Sequence, residues 1–213
     1  MVAGDLVSRG PLDAECVDRI RGLDATVIAG NTGLNVVASD DQWAAGVRAD
    51  LGPSRVDYLA NLPLDYRTTP TGGRSPDDAC SSFTRHRPIR GRHLFLKTRS
   101  PGIRGRRRPR QPTSSETRAR ISSWPANVHY AQAGLVGTQR FETIASVSSA
   151  CDGHPRAGYA LAAWDGTTWQ LNDRRASYDV EAVAVEIERT HRLKAERWAH
   201  QLRTAIVDEL YVL

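Results

Sequence analysis

The 213-residue sequence contains only three cysteines and no long apolar run. Cys16, Cys80 and Cys151 lie far apart and form no Cys-x-x-Cys pair, which argues against a disulfide framework and against a zinc site. No segment approaches the roughly 20 apolar residues of a membrane-spanning helix. The first ten residues also lack the apolar core of a signal peptide. These absences exclude a disulfide-rich secreted protein and a helical membrane protein, and we expect a cytoplasmic protein.

Lysine is scarce as well, since only Lys97 and Lys194 are lysines among 29 basic residues. Residues 74–120 carry 14 Lys or Arg and 3 Asp or Glu, a net charge of +11, whereas the rest of the chain carries 15 basic and 21 acidic residues. Guanidinium groups bind phosphates well, so this segment predicts nucleic-acid contact. The alternatives are a solvated arm and the arginine codon bias of a GC-rich genome. The candidate nucleic-acid-binding residues are Arg104, Arg106, Arg107, Arg108 and Arg110.

Hydrophobic periodicity predicts an α+β fold with a mixed, mainly antiparallel sheet, flanking helices and a long basic loop. Helical spacing of apolar residues occurs at 12–22, 41–52 and 190–211. Strand patterns occur at 25–30, 34–39, 62–69, 93–97, 140–148 and 180–188, and Asp165-Gly166 indicates a hairpin over 158–171.

Changes in composition divide the chain into three parts. Residues 1–74 form an ordered N-terminal part, and residues 75–125 form a basic loop or insertion rich in Arg, Pro and Ser. Residues 126–213 supply antiparallel strands and a C-terminal helix, and we assign them to the same domain as the first part.

Three pieces of the first half follow one another in a recognisable order: the strand "VIAGNTGLNVVASDD", the helix "DQWAAGVRADLGP" and the turn "LPLDYRTTPTGGR". This order resembles the N-terminal primase–polymerase domain of phage and plasmid replication proteins, a branch of the archaeo-eukaryotic primase superfamily. The resemblance covers residues 24–74. It implies a primase- or DNA-polymerase-type nucleotidyltransferase of a mobile element, with DNA and nucleoside triphosphates as partners. It also implies Mg²⁺ or Mn²⁺ as cofactor, since nucleotidyl transfer uses divalent cations held by carboxylates.

The resemblance implies a set of site residues. The carboxylates nearest the family's metal-binding positions are Asp40 and Asp41, with Asp152 as a third metal ligand. The turn that holds the triphosphate corresponds to Gly72, Gly73 and Arg74. The catalytic residues implied are Asp40, Asp41 and His93, the last from a second Gly-Arg-His.

The sequence departs from the family pattern at two positions. Ala38 stands where the family has its first metal-binding aspartate, and Ser75 stands where it has its histidine. An active enzyme and a degenerate relative therefore both remain open. Each feature also has a structural interpretation: Asp40 is a suitable helix N-cap, the glycine pair suits an ordinary turn, and His93 suits a lone strand histidine.

Two further hypotheses fit the same sequence. The first is a non-catalytic, arginine-rich nucleic-acid-binding protein that uses the basic segment. The second concerns association: the predicted C-terminal helix has an apolar stripe that fits either a core position or a homodimer face. The stripe consists of Trp198, Leu202, Ile206 and Leu210.

Overall fold

The computed structural model describes residues 1–73, 78–83, 121–125, 129–136 and 139–207. Four helices come first: α1 (Asp13–Arg21), α2 (Asn31–Ala38), α3 (Gln42–Leu51) and α4 (Pro53–Ala60). Seven strands follow: β1 (Asp65–Thr68), β2 (Cys80–Phe83), β3 (Ile121–Pro125), β4 (Gln132–Val136), β5 (Gln139–Thr143), β6 (Ala157–Trp164) and β7 (Trp169–Ala176). Two helices, α5 (Val180–Arg189) and α6 (Ala195–Thr204), end the described chain. The predicted α+β class is confirmed.

The four N-terminal helices pack around a shared apolar core. Val17 of α1, Val36 of α2, Leu51 of α3 and Leu59 of α4 are almost completely buried in it. Val47 joins Leu51 because residues four apart share one face of a helix. Each such side chain contributes about 1.5–3 kcal/mol relative to leaving it in water, so this core holds the first 60 residues together.

Local signals fix where α3 and α4 begin and end. The Asp41 carboxylate accepts a hydrogen bond from the N–H of Ala44 at 2.7 Å, which makes Asp41 the N-cap of α3. Gly52 ends α3 with φ at +73°, a conformation that glycine adopts without strain. Pro53 then starts α4 at a position where its missing N–H costs nothing.

Two short extended segments near the N-terminus run parallel to each other, with Val2 paired to Val27. Each segment ends in a glycine followed by a polar residue: Gly4-Asp5 after the first and Gly30-Asn31 after the second. Parallel segments end on the same side, so the pairing brings these two dipeptides together. This is the feature of the fold that positions the site described below.

The larger sheet has five strands in the order β1-β2-β3-β5-β4. Its outer pairs, β1 with β2 and β4 with β5, are antiparallel, whereas β2 with β3 and β3 with β5 are parallel. The sheet is therefore mixed, as expected. With the separate β6–β7 hairpin, three of the five pairings in the described chain are antiparallel.

The hairpin predicted around Asp165 is present, and its turn is held by that side chain. Asp165 Oδ1 accepts hydrogen bonds from the N–H groups of Thr167 and Thr168 at 2.9 and 2.8 Å. Trp164 and Trp169 face each other across the strands, with ring centroids 5.8 Å apart in an edge-to-face arrangement. The two rings therefore form a cross-strand pair at the end of the hairpin.

The last two helices pack on each other, with Ala184 and Ile187 of α5 against Ala199 and Leu202 of α6. Arg203 of α6 forms ion pairs with two glutamates of α5, Glu181 and Glu188. Leu202 and Trp198 of the apolar stripe pack in this cluster, which favours the core alternative for these two residues. Ile206 is exposed and Leu210 lies outside the described residues, so the homodimer face stays a prediction.

Two predicted strands are helices. Residues 34–38 belong to α2, which ends before Ser39, and residues 180–188 belong to α5, which follows the N-cap Asp179. Both segments are rich in valine, which favours strands only weakly and yields to tertiary packing. Val36 and Ile187 face buried cores at helical spacing. The structure also contains α4, which the sequence analysis did not predict.

Among the residues that the structure describes, no helix combines the length and hydropathy needed to cross a membrane.

Candidate functional site

The structure does not gather the predicted metal ligands. Asp40 is exposed beside α3, and Asp41 caps that helix while accepting a further hydrogen bond from the Ser39 hydroxyl at 2.7 Å. Hydrogen bonding by the Ala44 N–H, then by Ser39, lowers the pKa of Asp41. Asp152 pairs with Arg175 of β7. Within the described ranges, no three His, Cys, Asp or Glu side chains form a group suited to a metal ion.

The residues of the predicted triphosphate turn form a tight turn after β1. The N–H of Gly73 donates to the carbonyl of Pro70 at 3.0 Å, and Gly72 has φ at +82°, as the third position of such a turn requires. Gly72 is exposed and an added Cβ would contact nothing within 4 Å. The remaining predicted residues lie outside the described part of the chain: Arg74, His93, Arg104, Arg106, Arg107, Arg108 and Arg110.

The structure brings together a different pair, Asp5 and His129. Asp5 follows the first parallel segment, and His129 lies just before β4, in the second half of the chain. His129 Nε2 lies 3.8 Å from Asp5 Oδ2, and both side chains are about one-fifth exposed. The other oxygen of Asp5 accepts a hydrogen bond from the N–H of Thr32 at 3.0 Å. The carboxylate is therefore fixed between the start of α2 and the imidazole.

Two glycines make this approach of the backbones possible. An added Cβ on Gly4 would lie 2.6 Å from the Cα of Gly30. An added Cβ on Gly30 would lie 2.0 Å from the nitrogen of Asp5 and 2.1 Å from its Oδ1. At both positions the two segments leave room only for the hydrogen atom of a glycine, and not for a side chain. Asn31 is the first residue of α2 and comes directly after Gly30. Its backbone is therefore bonded to the residue that packs against Asp5.

Uncommon backbone conformations concentrate at this place. Asp5, Ser8 and His129 have φ values of +54°, +102° and +62°. Such conformations cost non-glycine residues about 1–3 kcal/mol each and persist only where the surrounding structure imposes them. They often mark functional sites. Three of the six non-glycine residues with positive φ in the described chain are thus the two members of the pair and Ser8; the other three, His191, Lys194 and Ala205, lie around α6.

The electrostatics favour a neutral imidazole. Burial lowers the pKa of His129; Asp5 opposes the shift and Arg9 adds to it. Arg9 itself is exposed and donates to the hydroxyl of Ser149 at 2.7 Å. The site thus combines a carboxylate, an imidazole with its lone pair available and a nearby guanidinium, which together suit a cation and an anionic group bound side by side.

Asp5 and His129 are not among the residues predicted from the sequence, although one sequence signal points toward Asp5. "VAGD" and "VIAGN" both place a glycine and a polar residue after a short apolar run. In α/β proteins, ligands commonly bind beside the carboxyl ends of neighbouring parallel strands. The residues that follow these two parallel segments occupy a place of that kind. Nothing in the sequence indicates which distant histidine completes it.

No protein-family model matches the chain, and no curated protein sequence is significantly similar to it. Solved structures do match over nearly the whole chain. The chain is similar to a metallophosphoesterase from Sphaerobacter thermophilus, with a TM-score of 0.62 and 15% identity over 96% of this chain and 87% of that one. It is also similar to a hypothetical protein from Pyrococcus horikoshii, with a TM-score of 0.63 and 15% identity over 96% of this chain and 86% of that one.

These similarities establish the fold and correct the family assignment made from the sequence. The predicted primase–polymerase resemblance is wrong, because the chain as a whole shares its fold with a metallophosphoesterase. The inferred replication function, the mobile-element context and the DNA and nucleoside triphosphate partners depended on that resemblance and are wrong with it. The alternative of a non-catalytic nucleic-acid-binding protein receives no support either.

Proposed function

We propose that this chain is a phosphoesterase-type hydrolase that depends on a divalent cation held at Asp5 and His129. The observation that carries the proposal is the Asp5–His129 pair itself, 3.8 Å apart at the ends of two parallel segments. The fold shared with a metallophosphoesterase supports the reaction class. The three cysteines are free thiols, which supports the cytoplasmic location expected from the sequence.

The side chains present fit a cation of intermediate softness. A carboxylate oxygen and a neutral imidazole nitrogen suit Mn²⁺ or Zn²⁺ better than Mg²⁺, which prefers oxygen ligands and water. Gly30 packs directly against the backbone nitrogen and Oδ1 of Asp5 and so confines one side of the carboxylate. We add Asn31 as a third ligand, because it lies between Gly30 and Thr32, both of which contact Asp5.

When bound, the cation polarises a phosphoryl oxygen and lowers the pKa of a coordinated water. The chain's own residues do the rest. The Thr32 N–H holds one oxygen of Asp5, so that the other is aimed toward His129. The Arg9 guanidinium binds the phosphate oxygens and stabilises the charge that accumulates as the ester bond breaks. The N-terminus of α2 adds a favourable dipole for the Asp5 carboxylate and for the substrate anion.

Hydrolysis of model phosphoesters tests this proposal. Purified protein is assayed with p-nitrophenyl phosphate and bis-p-nitrophenyl phosphate in Mn²⁺, Zn²⁺ or Mg²⁺, and again after removal of metal with a chelator. We expect metal-dependent turnover, highest with Mn²⁺ or Zn²⁺. Asp5→Asn and His129→Gln should each lower kcat/KM at least about 100-fold, since loss of even an outer-shell partner costs 10–100-fold.

Asp40→Asn and His154→Gln are the matched controls, because both residues are exposed and lie outside the pair. They should keep the activity and the metal affinity of the unmodified protein. Calorimetric titration with Mn²⁺ supplies a second measurement that does not depend on finding the right substrate. Equal Mn²⁺ affinity in the Asp5, His129 and control variants would show that the metal assignment is wrong.

A further inference from the structure

The segment Ser8–Gly10 carries Arg9, and its backbone is held in an unfavourable conformation. Ser8 is buried and has φ at +102°, a conformation that needs external support. Its N–H donates to Asp13 Oδ1 at 3.0 Å. Asp13 is the first residue of α1 and is itself only 4% exposed. Burial raises the pKa of this carboxyl, opposed by the Ser8 hydrogen bond and by Arg192.

Arg192 holds the same segment from the far end of the chain. Its Nη1 donates to the carbonyl of Gly10 at 3.0 Å and to Asp13 Oδ2 at 2.9 Å, and its Nη2 donates to Asp50 Oδ2 at 2.8 Å. Gly10 and Arg192 are 182 positions apart in the sequence. Arg192 lies in the turn between α5 and α6, where its own carbonyl accepts a hydrogen bond from Ala195. The guanidinium fork is therefore presented from a fixed backbone.

The side chain of Arg9 is held from the same helical pair. Its guanidinium donates to Ser149 Oγ at 2.7 Å, and that oxygen also accepts from Nε2 of Gln201 at 3.1 Å. Gln201 belongs to α6 and is 7% exposed. Arg192 therefore holds Gly10 directly and Ser8 through Asp13, and Gln201 of α6 shares with Arg9 the hydroxyl that binds its head group.

We propose that Arg192 is a positioning residue, which holds Ser8–Gly10 in the conformation that presents Arg9 to the substrate phosphate beside Asp5. The inference rests on the proposed function. It makes the α5–α6 pair a part of the site's construction, although neither helix contributes a side chain that touches the substrate. Two of the three charge-assisted hydrogen bonds of the Arg192 guanidinium support the segment: one goes to Gly10 directly and one to Asp13, which accepts the Ser8 N–H.

The test compares Arg192→Met and Arg192→Lys with Arg203→Met. Arg203 is the matched control, because it also forms two ion pairs from the same helical pair, but both of them go to glutamates of α5. Each variant is examined by amide hydrogen exchange at Ser8 and at Leu51, a core residue of α3, and by calorimetric titration of the Mn²⁺-loaded protein with inorganic phosphate. Steady-state kinetics separate KM from kcat.

In Arg192→Met we expect Ser8 to exchange at least about tenfold faster, with a similar weakening of phosphate binding and a rise in KM, the size that loss of a charge-assisted hydrogen bond gives. Leu51 should exchange as before. Arg192→Lys keeps the charge but not the fork, so it should fold normally and show a smaller change of the same kind. Arg203→Met should leave Ser8 exchange and phosphate affinity unchanged.

Two outcomes would overturn the inference, and they differ from failure of the proposed function. If Ser8 and Leu51 exchange faster by the same factor in Arg192→Met, the residue only stabilises the fold. If Ser8 exchanges faster while phosphate affinity and KM stay constant, the segment does not position Arg9. If the unmodified protein neither binds phosphate nor hydrolyses phosphoesters, the proposed function fails, and the inference fails with it.

Discussion

Gly30 contacts Asp5 so closely that a Cβ on Gly30 would lie 2.0 Å from the Asp5 backbone nitrogen. Real Cβ atoms essentially never come this near another heavy atom, so the two segments would have to separate. The separation would move the carboxylate away from His129. The glycine is therefore a requirement of the site as well as of the fold.

Gly30→Ala should lower the free energy of unfolding by about 3 kcal/mol, the upper range for overpacking a tight contact. It should also abolish Mn²⁺ binding. Urea denaturation and calorimetric titration measure the two effects. Gly46→Ala is the control, since Gly46 is exposed inside α3 and an added Cβ meets nothing within 4 Å. It should raise stability by about 1 kcal/mol through helix propensity alone; destabilisation by both substitutions would refute this explanation.

Asp41→Ala tests the role that the structure gives to the predicted metal ligand. We expect a lower urea midpoint, because the N–H of Ala44 loses its capping partner. Metal affinity and hydrolysis should not change. Asp40 is a neighbouring exposed acid that does not cap α3. Asp40→Ala should therefore leave the urea midpoint unchanged. A loss of Mn²⁺ binding in either variant would restore the metal role inferred from the sequence.

The Arg203 ion pairs predict a dependence of stability on pH. Hydrogen bonds from Arg203 lower the pKa values of Glu181 and Glu188 below the ordinary 4.5. As the pH falls through that range, the unfolded chain binds more protons than the folded chain, so stability present above pH 4.5 is lost. Arg203→Met should therefore be less stable than the unmodified protein at pH 7, and the difference should shrink toward pH 3. Urea midpoints across that range measure it; a constant difference would contradict the assignment.

The two tryptophans of the hairpin differ in one hydrogen bond. Trp169 Nε1 donates to the carbonyl of Asp78 at 2.9 Å, whereas the buried Trp164 Nε1 finds no partner among the described residues. Trp169→Phe should cost about 1 kcal/mol more than Trp164→Phe, because only the first leaves an acceptor without its donor. Both substitutions remove similar ring area and disturb the same ring pair, so their difference isolates the bond. Equal losses in urea denaturation would show that this bond contributes nothing.

Sequence patterns predicted the fold class, the α1 and α3 helices and the β6–β7 hairpin because each depends on local chemistry. Gly52-Pro53 after an amphipathic run and Asp165-Gly166 between two strands act within a few residues. The N-cap of α3 was expected at Asp40 but is its neighbour Asp41. The segments 34–39 and 180–188 were predicted wrongly because valine-rich runs follow whichever core they contact.

The site was not predictable in the same way. Asp5 and His129 are set together by the parallel pairing of Val2 with Val27 and by the loop before β4. Neither relationship produces a recognisable spacing of residues in the sequence. The match of "TPTGGR" to a phosphate-binding turn is also a local pattern. It correctly predicts a turn at Pro70–Gly73, but a turn pattern alone does not determine the function of the turn.

The contacts that unite residue 5 with residue 129, and residue 10 with residue 192, also have a consequence for biosynthesis. The α1–α4 core consists of neighbours in sequence and can fold while the chain is still being made. The Asp5 carboxylate then remains without its imidazole partner until the second half emerges, and Arg9 remains unsupported until α6 does. On the proposed function, metal loading would therefore come late in the maturation of this protein, after nearly the whole chain has folded.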